Sequence, residues 1–129
     1  MFTLNFKKRF SSAIETGEKR QTIRAPRKDG RIPRPGDDLR LYTGMRTSQC
    51  QRLTDATCTA IASVLIVEHG SDWMIYLDGR KLSLAEQIEF AKDDGFETWA
   101  EFLEFFNKVH GLPFAGLMIR WEPKAKERE

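Results

Sequence analysis

The sequence holds only two cysteines, Cys50 and Cys58, with seven residues between them and no second pair. That excludes the four-donor zinc patterns, which need two close pairs of Cys or His, and it excludes a disulfide framework. The two read as free thiols of a reducing compartment. Histidine is as scarce. His69 and His110 stand far apart, neither with a partner at metal-ligand spacing, so neither a metal site nor a cofactor is expected. No apolar run approaches the roughly 20 residues that span a bilayer. The start, Met1-Phe2-Thr3-Leu4-Asn5-Phe6, lacks a signal peptide's layout, and a cytoplasmic protein without a membrane partner is expected. There is no internal repeat and no composition break that would mark a second domain.

What is present in quantity is charge, and it is unevenly placed. Over 129 residues, 40% hydrophobic and 31% charged, the formal net charge is only +2. Residues 1–60 nevertheless carry 13 Lys/Arg against 6 Asp/Glu, and residues 61–129 carry 8 against 13. The basic half runs through Lys7-Lys8-Arg9, Lys19-Arg20, Arg24, Arg27-Lys28, Arg31, Arg34, Arg40, Arg46 and Arg52. It offers an anionic ligand a landing area.

At the centre of this basic half lies Gly17-Glu18-Lys19-Arg20-Gln21-Thr22-Ile23-Arg24. A short amphipathic helix over Lys7–Thr16, with Phe10, Ala13 and Ile14 at helical spacing, precedes it. Gly17 stops that helix, because a left-handed backbone is open to glycine at little steric cost. Lys19 then sits in the turn beyond the helix end. The following Gln21–Arg24 alternates polar and apolar, so a strand puts Thr22 and Arg24 on one face and Ile23 on the other. An ammonium, a hydroxyl and a guanidinium thus address one space while Ile23 anchors the strand.

The rest of the chain reads as alternating strands followed by two helices. Phe2–Phe6 is a half-buried first strand. Ala25–Asp38, with Pro26, Gly30, Pro33, Pro35 and Gly36, is a long loop carrying Arg27, Lys28, Arg31 and Arg34. Leu39–Thr43 and Ala56–Val67 are strands, the latter rich in β-branched residues. Gly70-Ser71-Asp72 turns the chain into Trp73–Leu77, and Asp78-Gly79 is the next turn. Ser83-Leu84-Ala85-Glu86 and Thr98-Trp99-Ala100-Glu101 both fit the capping box that opens a helix. In the second helix Trp99, Phe102, Leu103, Phe106 and Val109 form one apolar face, a core stripe. Gly111 and Pro113 end it, and Gly116–Trp121 is the last strand. Lys124–Glu129 reads as a charged, frayed tail. Between the helices, Lys92-Asp93-Asp94-Gly95-Phe96 reads by itself as a tight turn with solvated acids.

The pattern Gly17-x-Lys19-x-x-Thr22-x-Arg24 resembles that of the ASCH domain, a small relative of the PUA domain of RNA-modifying proteins. Pro35-Gly36-Asp37 before the strand Leu39–Tyr42, Asp94-Gly95-Phe96 before a Trp/Phe-rich helix, and the last strand ending at Trp121 extend the resemblance over residues 1–121. It implies an α+β fold: one PUA-like mixed, nearly closed β-barrel of about five to six strands with about three helices, followed by a tail over residues 122–129. It further implies binding of RNA, a nucleotide or a modified nucleoside. Gly17, Arg20, Arg24, Arg46 and Tyr42 are the ligand contacts expected around the motif, with Arg46 in a loop at the barrel mouth and Tyr42 a candidate base-stacking ring that its strand pattern otherwise reads as a partly buried barrel residue.

One branch of the family looks like N4-acetylcytidine amidohydrolases, in which a lysine and a threonine of the motif act with a glutamate ahead of a late helix. Lys19 and Thr22 match the first two, and the acid position falls on Asp94, one methylene shorter. Such a set implies Thr22 as nucleophile, Lys19 as base with its pKa lowered by burial and by Arg20 and Arg24, and Asp94 as proton relay. A ribonuclease, metal-assisted or acting by general acid/base chemistry, is the other enzymatic expectation. On the residues alone, Lys19 reads as a phosphate contact and Thr22 as a strand hydroxyl. A protein-interaction domain whose basic face meets an acidic partner is the remaining alternative.

Overall fold

The structure is a computed structural model that describes residues 1–124. The element order is β1 (Phe2–Phe6), a 3-10 turn (Lys8–Phe10), α1 (Ser11–Thr16), β2 (Gln21–Arg24), β3 (Asp38–Thr43), β4 (Gln51–His69), β5 (Asp72–Leu77), β6 (Arg80–Lys81), α2 (Leu84–Asp93), α3 (Trp99–Val109) and β7 (Phe114–Pro123). Among the described residues, three α-helices and one mixed sheet of seven strands make it an α+β fold. β7 extends beyond Trp121 through Pro123, and Lys124 donates its backbone N–H to the Asp55 carbonyl and pairs with Asp38 at 2.7 Å. The charged tail expected from residue 122 or 124 therefore does not begin before residue 125. Residues 125–129 lie outside the described chain.

The sheet is organised on β4. Its first part pairs antiparallel with β3, its last part with β5, and its other edge with β7 from Ala56 to Ile66. β4 is 19 residues long. Alternating small, polar and apolar side chains along it let one strand bury residues such as Ala56, Cys58, Ala62, Val64 and Ile66 on one side while the other side stays wet. β1 adds to β3 in parallel, and β2 adds to β7 antiparallel.

The barrel expected from the sequence does not close. β1 and β2 are the free edges on either side of the gap and share no ladder among the described residues. A side chain spans it instead: the Arg24 guanidinium donates to the Asn5 carbonyl at 2.6 Å. With only four residues, β2 offers few backbone groups for a second ladder after pairing with β7. The gap between β1 and β2 is where the motif faces.

The core combines the inner sides of β1, β3, β4 and β7 with the aromatic faces of α2 and α3. Phe90, Phe96, Phe102 and Phe106 are all buried, and their rings meet edge-on or tilted at centroid distances between 4.6 and 6.3 Å. Ser83 forms the full capping box with Glu86. Thr98 accepts from the Glu101 N–H, but the Glu101 carboxylate reaches Arg9 at 3.2 Å, so here only the hydroxyl arm of the expected box is seen. Val109 departs from the expected core stripe of α3, being 43% exposed in the last turn, where it lines a cleft.

The long loop 25–37 is mostly exposed but is held to the sheet at several points. Arg27 and Arg31 lie over the Phe2 ring, 5.7 and 4.8 Å from its centroid, and the Gly36 N–H donates to the Cys58 carbonyl. Phe2 is at one end of β1 and Phe6 at the other, roughly 13 Å apart at the rise of a strand. The basic loop thus sits at the far end of β1 from the motif cleft, not around it.

Candidate functional site

The site is built from the turn before β2. Gly17 takes a left-handed backbone (φ 83°) at the end of α1, and the Lys19 N–H returns to the Ala13 carbonyl at 2.9 Å. These bonds fix where the Lys19 side chain starts. It runs inward and is only 2% exposed. Its Nζ donates to the Gln21 carbonyl at 2.7 Å and, at still closer range, to the Asp94 carbonyl; Asp94 Oδ1 is 3.6 Å away. The Phe10 ring lies 4.8 Å below the ammonium.

Asp94 reaches this place through the way α2 ends. The Phe96 N–H bonds the Ala91 carbonyl at 3.0 Å and the Gly95 N–H bonds the Lys92 carbonyl at 2.9 Å, the paired bonds of a Schellman C-cap. Gly95 has φ 99°, and a Cβ there would stand 3.1 Å from Phe10 and 3.2 Å from the Lys19 stem. Glycine is thus required twice, for the left-handed turn and for the close approach of the turn to Lys19. Asp94 is 4% exposed, so the solvated turn read from the sequence is corrected: Asp94 is buried, whereas the half-buried Asp93 faces Arg120 at 3.6 Å.

Burial sets the electrostatics. The Asp94 carboxyl is pushed up to about 6 by desolvation, with Lys19, the Gln21 amide and Arg24 pulling the other way. Desolvation likewise lowers the Lys19 ammonium, against the attraction of Asp94 and with help from Arg24. Arg24 is brought down to about 10 by the same cause. A lysine and a carboxylate share this pocket, and burial opposes the charge on each.

Thr22 and Arg24 emerge on one face of β2, as the alternation predicts, and Ile23 is buried in the core. The Arg24 Nε donates to Thr22 Oγ1 at 3.1 Å while its other arm holds Asn5. The guanidinium also lies 4.6 Å above the Phe6 ring. With its oxygen accepting from Arg24, the Thr22 hydroxyl keeps its own proton to offer. Lys19, Thr22, Arg24 and Asp94 all line one cleft of about 270 Å3, whose remaining walls include Phe6, Phe105, Phe106 and His110.

The other residues singled out from the sequence do not line this cleft. Arg20 is exposed and turns back to the Gly17 carbonyl and to Glu122, at 2.9 and 2.6 Å. Gly17 shapes the turn without lining the cleft. Tyr42 is half-buried on β3. Arg46 is exposed with a left-handed backbone (φ 66°), although its loop neighbours Gly44, Met45 and Thr47 line an adjoining cleft. Cys50 and Cys58 are free thiols, exposed and buried respectively.

Three contributors were missed. Gln21 is 1% exposed and joins Arg120, which donates to its Oε1 at 3.1 Å, to Asp94, which accepts from its Nε2 at 3.4 Å. Its signal was available: alternation puts Gln21 on the same side as Ile23, and a glutamine on a core face needs partners. Asn5 is an exposed residue of β1, yet its carbonyl accepts from Arg24 and its Oδ1 from the Met45 N–H. His110 stands at the C-cap position of α3 and also walls the cleft, its ring 5.4 Å from Phe106 and 4.9 Å from Phe114, and desolvation lowers its pKa.

No family model, no curated protein and no solved structure matches this chain.

Proposed function

We propose that the cleft between β1, β2 and α3 binds a nucleoside or nucleotide unit, free or within RNA. The observation that carries this reading is the convergence of Lys19, Thr22, Arg24 and Asp94, separated by up to 75 residues, on one cleft of about 270 Å3. That volume is close to the lower end of small-molecule pockets, roughly 300–1,000 Å3, and suits one base with its sugar. Aromatic rings from β1 and α3 offer apolar walls to a base, Thr22 offers a hydroxyl proton, and Arg24 and Lys7 bring positive charge to the mouth. Phosphate contacts then make binding weaken with salt. The likeness of the motif to the ASCH pattern supports the same ligand class.

A hydrolase acting on an acetylated cytidine is the second reading, and what favours it is the buried Lys19–Asp94 pair with its opposed pKa shifts. In that chemistry Thr22 Oγ bonds to the acetyl carbon and gives its proton to a neutral Lys19. The bond to the base nitrogen breaks as that nitrogen takes a proton from the Lys19 ammonium or the Asp94 acid, and water then releases acetate from Thr22. Binding stands first because the Lys19 Nζ is already committed to two backbone carbonyls, an anchoring role that a base must give up.

Thr22→Val separates the two. A binder keeps its affinity for cytidine 5′-monophosphate within about fivefold, since one neutral hydrogen bond contributes about 1 kcal/mol. A hydrolase loses acetate release from N4-acetylcytidine by on the order of 100-fold or more at similar affinity. Calorimetric titration and an acetate assay on the same preparations decide between them. Undetectable binding of both ligands by the folded wild type contradicts both readings.

A further inference from the structure

A second, wider cleft of about 880 Å3 adjoins the first and shares with it the stretch Asn5-Phe6-Lys7. Its floor is the end of β1, one wall is the face of α1 bearing Ser11, Ser12 and Glu15, and the other is the loop after β3. The loop is tied to β1, because the Met45 N–H donates to Asn5 Oδ1 at 3.0 Å. Asn5 therefore holds both clefts: its side chain fixes the loop of the wide one, and its carbonyl accepts from Arg24 in the narrow one.

The linings differ in chemistry. The narrow cleft is walled by rings, whereas the wide one presents Lys7, Lys8, hydroxyls and the amides Gln49 and Gln51, with Phe6 as its one ring. Ser11 Oγ is buried there without a hydrogen-bond partner among the described residues. Two ammonium groups face one carboxylate, Glu15, so the lining favours an anion while offering donors and acceptors to a sugar. A single nucleotide in the narrow cleft would leave this space unused.

Resting on the nucleoside reading of the narrow cleft, we infer that the ligand is a single-stranded oligonucleotide: one base enters the narrow cleft and the adjoining phosphodiester and nucleotide lie in the wide one, against Lys7 and Lys8. A base walled by Phe6, Phe105, Phe106 and His110 is out of any duplex stack, which is the way bases of single strands are taken. The chain continues over Asn5-Phe6-Lys7, and its charge meets Lys7 and Lys8 there.

The test compares cytidine 5′-monophosphate with a ribotetranucleotide containing one cytidine, by titration of the wild type and of Lys8→Ala and Gln51→Ala, both outside the narrow cleft. The tetranucleotide is expected to bind at least tenfold tighter, and its affinity to fall more steeply with salt. Two added phosphate contacts steepen the log–log slope by roughly 1.4, at about 0.7 per contact on a single strand. Lys8→Ala is expected to remove most of the tenfold gain and part of the added slope while leaving monophosphate binding unchanged. Equal affinity for the two ligands, with the monophosphate bound, overturns the inference and leaves the nucleoside reading in place. So does a gain that survives both substitutions. Failure of both ligands to bind overturns the two together.

Discussion

Lys19→Met is expected to lower the stability of the fold by about 3–5 kcal/mol at pH 7, the cost of removing one partner from a buried ion pair. The substitution keeps the length of the stem, so packing against Phe10 and Gly95 is largely retained. What it removes is the ammonium, leaving the Asp94 carboxylate without its cation, though still with the Gln21 amide, and the carbonyls of Gln21 and Asp94 without the Lys19 donor in a site that water barely reaches. Against the roughly 5–15 kcal/mol that holds a domain of this kind together, the loss is severe. Two further outcomes tie it to the pair. The loss shrinks at pH 5, where Asp94 takes up a proton, and Lys19→Met with Asp94→Asn is more stable than Lys19→Met alone. Urea unfolding at both pH values measures all three, and a Lys19→Met loss below about 1 kcal/mol contradicts the buried pair.

The second large effect is on pH dependence. The Asp94 carboxyl stands near 6 in the folded chain against an ordinary 3.8, so between those values the folded state holds its proton more tightly than the unfolded one. Its contribution is therefore most favourable below pH 4 and declines as pH rises through 6, a change of about 3 kcal/mol by pH 7 at 1.36 kcal/mol per unit. Lys19 acts in the alkaline range with the opposite slope. Its lowered pKa means that the unfolded chain holds the proton more tightly, so that stability from this group rises as pH climbs toward 10.5. Glu86, held near 2 by Arg80 and the Ser83 N–H, favours the folded state as pH rises through the acid range and obscures the raw curve. The difference between Asp94→Asn and wild type removes that background. It is expected to shift toward the variant by about 2.4 kcal/mol between pH 4 and pH 7, and a flat difference contradicts the raised carboxyl.

The parts of the fold legible in the sequence are those governed by local physics. Alternation marked β1 and β2, Gly17 marked the end of α1, and Ser83 marked the start of α2, because each signal acts within a few residues. Where long-range pairing decides, the reading fell short. β4 begins at Gln51, not Ala56, because β3 supplies partners to the mostly polar stretch Gln51–Asp55. The two-residue β6 exists through its pairing with β5. The gap between β1 and β2 was likewise out of reach, since no local pattern says that two edges stop short of a ladder.

The same division holds at the site. Thr22, Arg24 and Lys19 are legible because four consecutive residues of β2 and the turn before it set their directions. Asp94 joins them only across 75 residues, through a helix C-cap that looks from its own sequence like any Asp-Gly turn. The basic loop misled for the opposite reason. Its charges are close to the motif in sequence, but docking on Phe2 carries Arg27 and Arg31 to the other end of β1. Proximity along the chain did not carry over into space, because the chain after Arg24 turns along β1 toward Phe2.

The most direct test of a nucleoside cleft framed by the motif is to see where a ligand touches the chain. In a titration with cytidine 5′-monophosphate followed by amide chemical shifts, the largest changes are expected at Asn5–Lys7, Thr22–Arg24 and Val109–His110, the backbone around the narrow cleft. Changes confined to the loop 25–37, or none at millimolar ligand, contradict it.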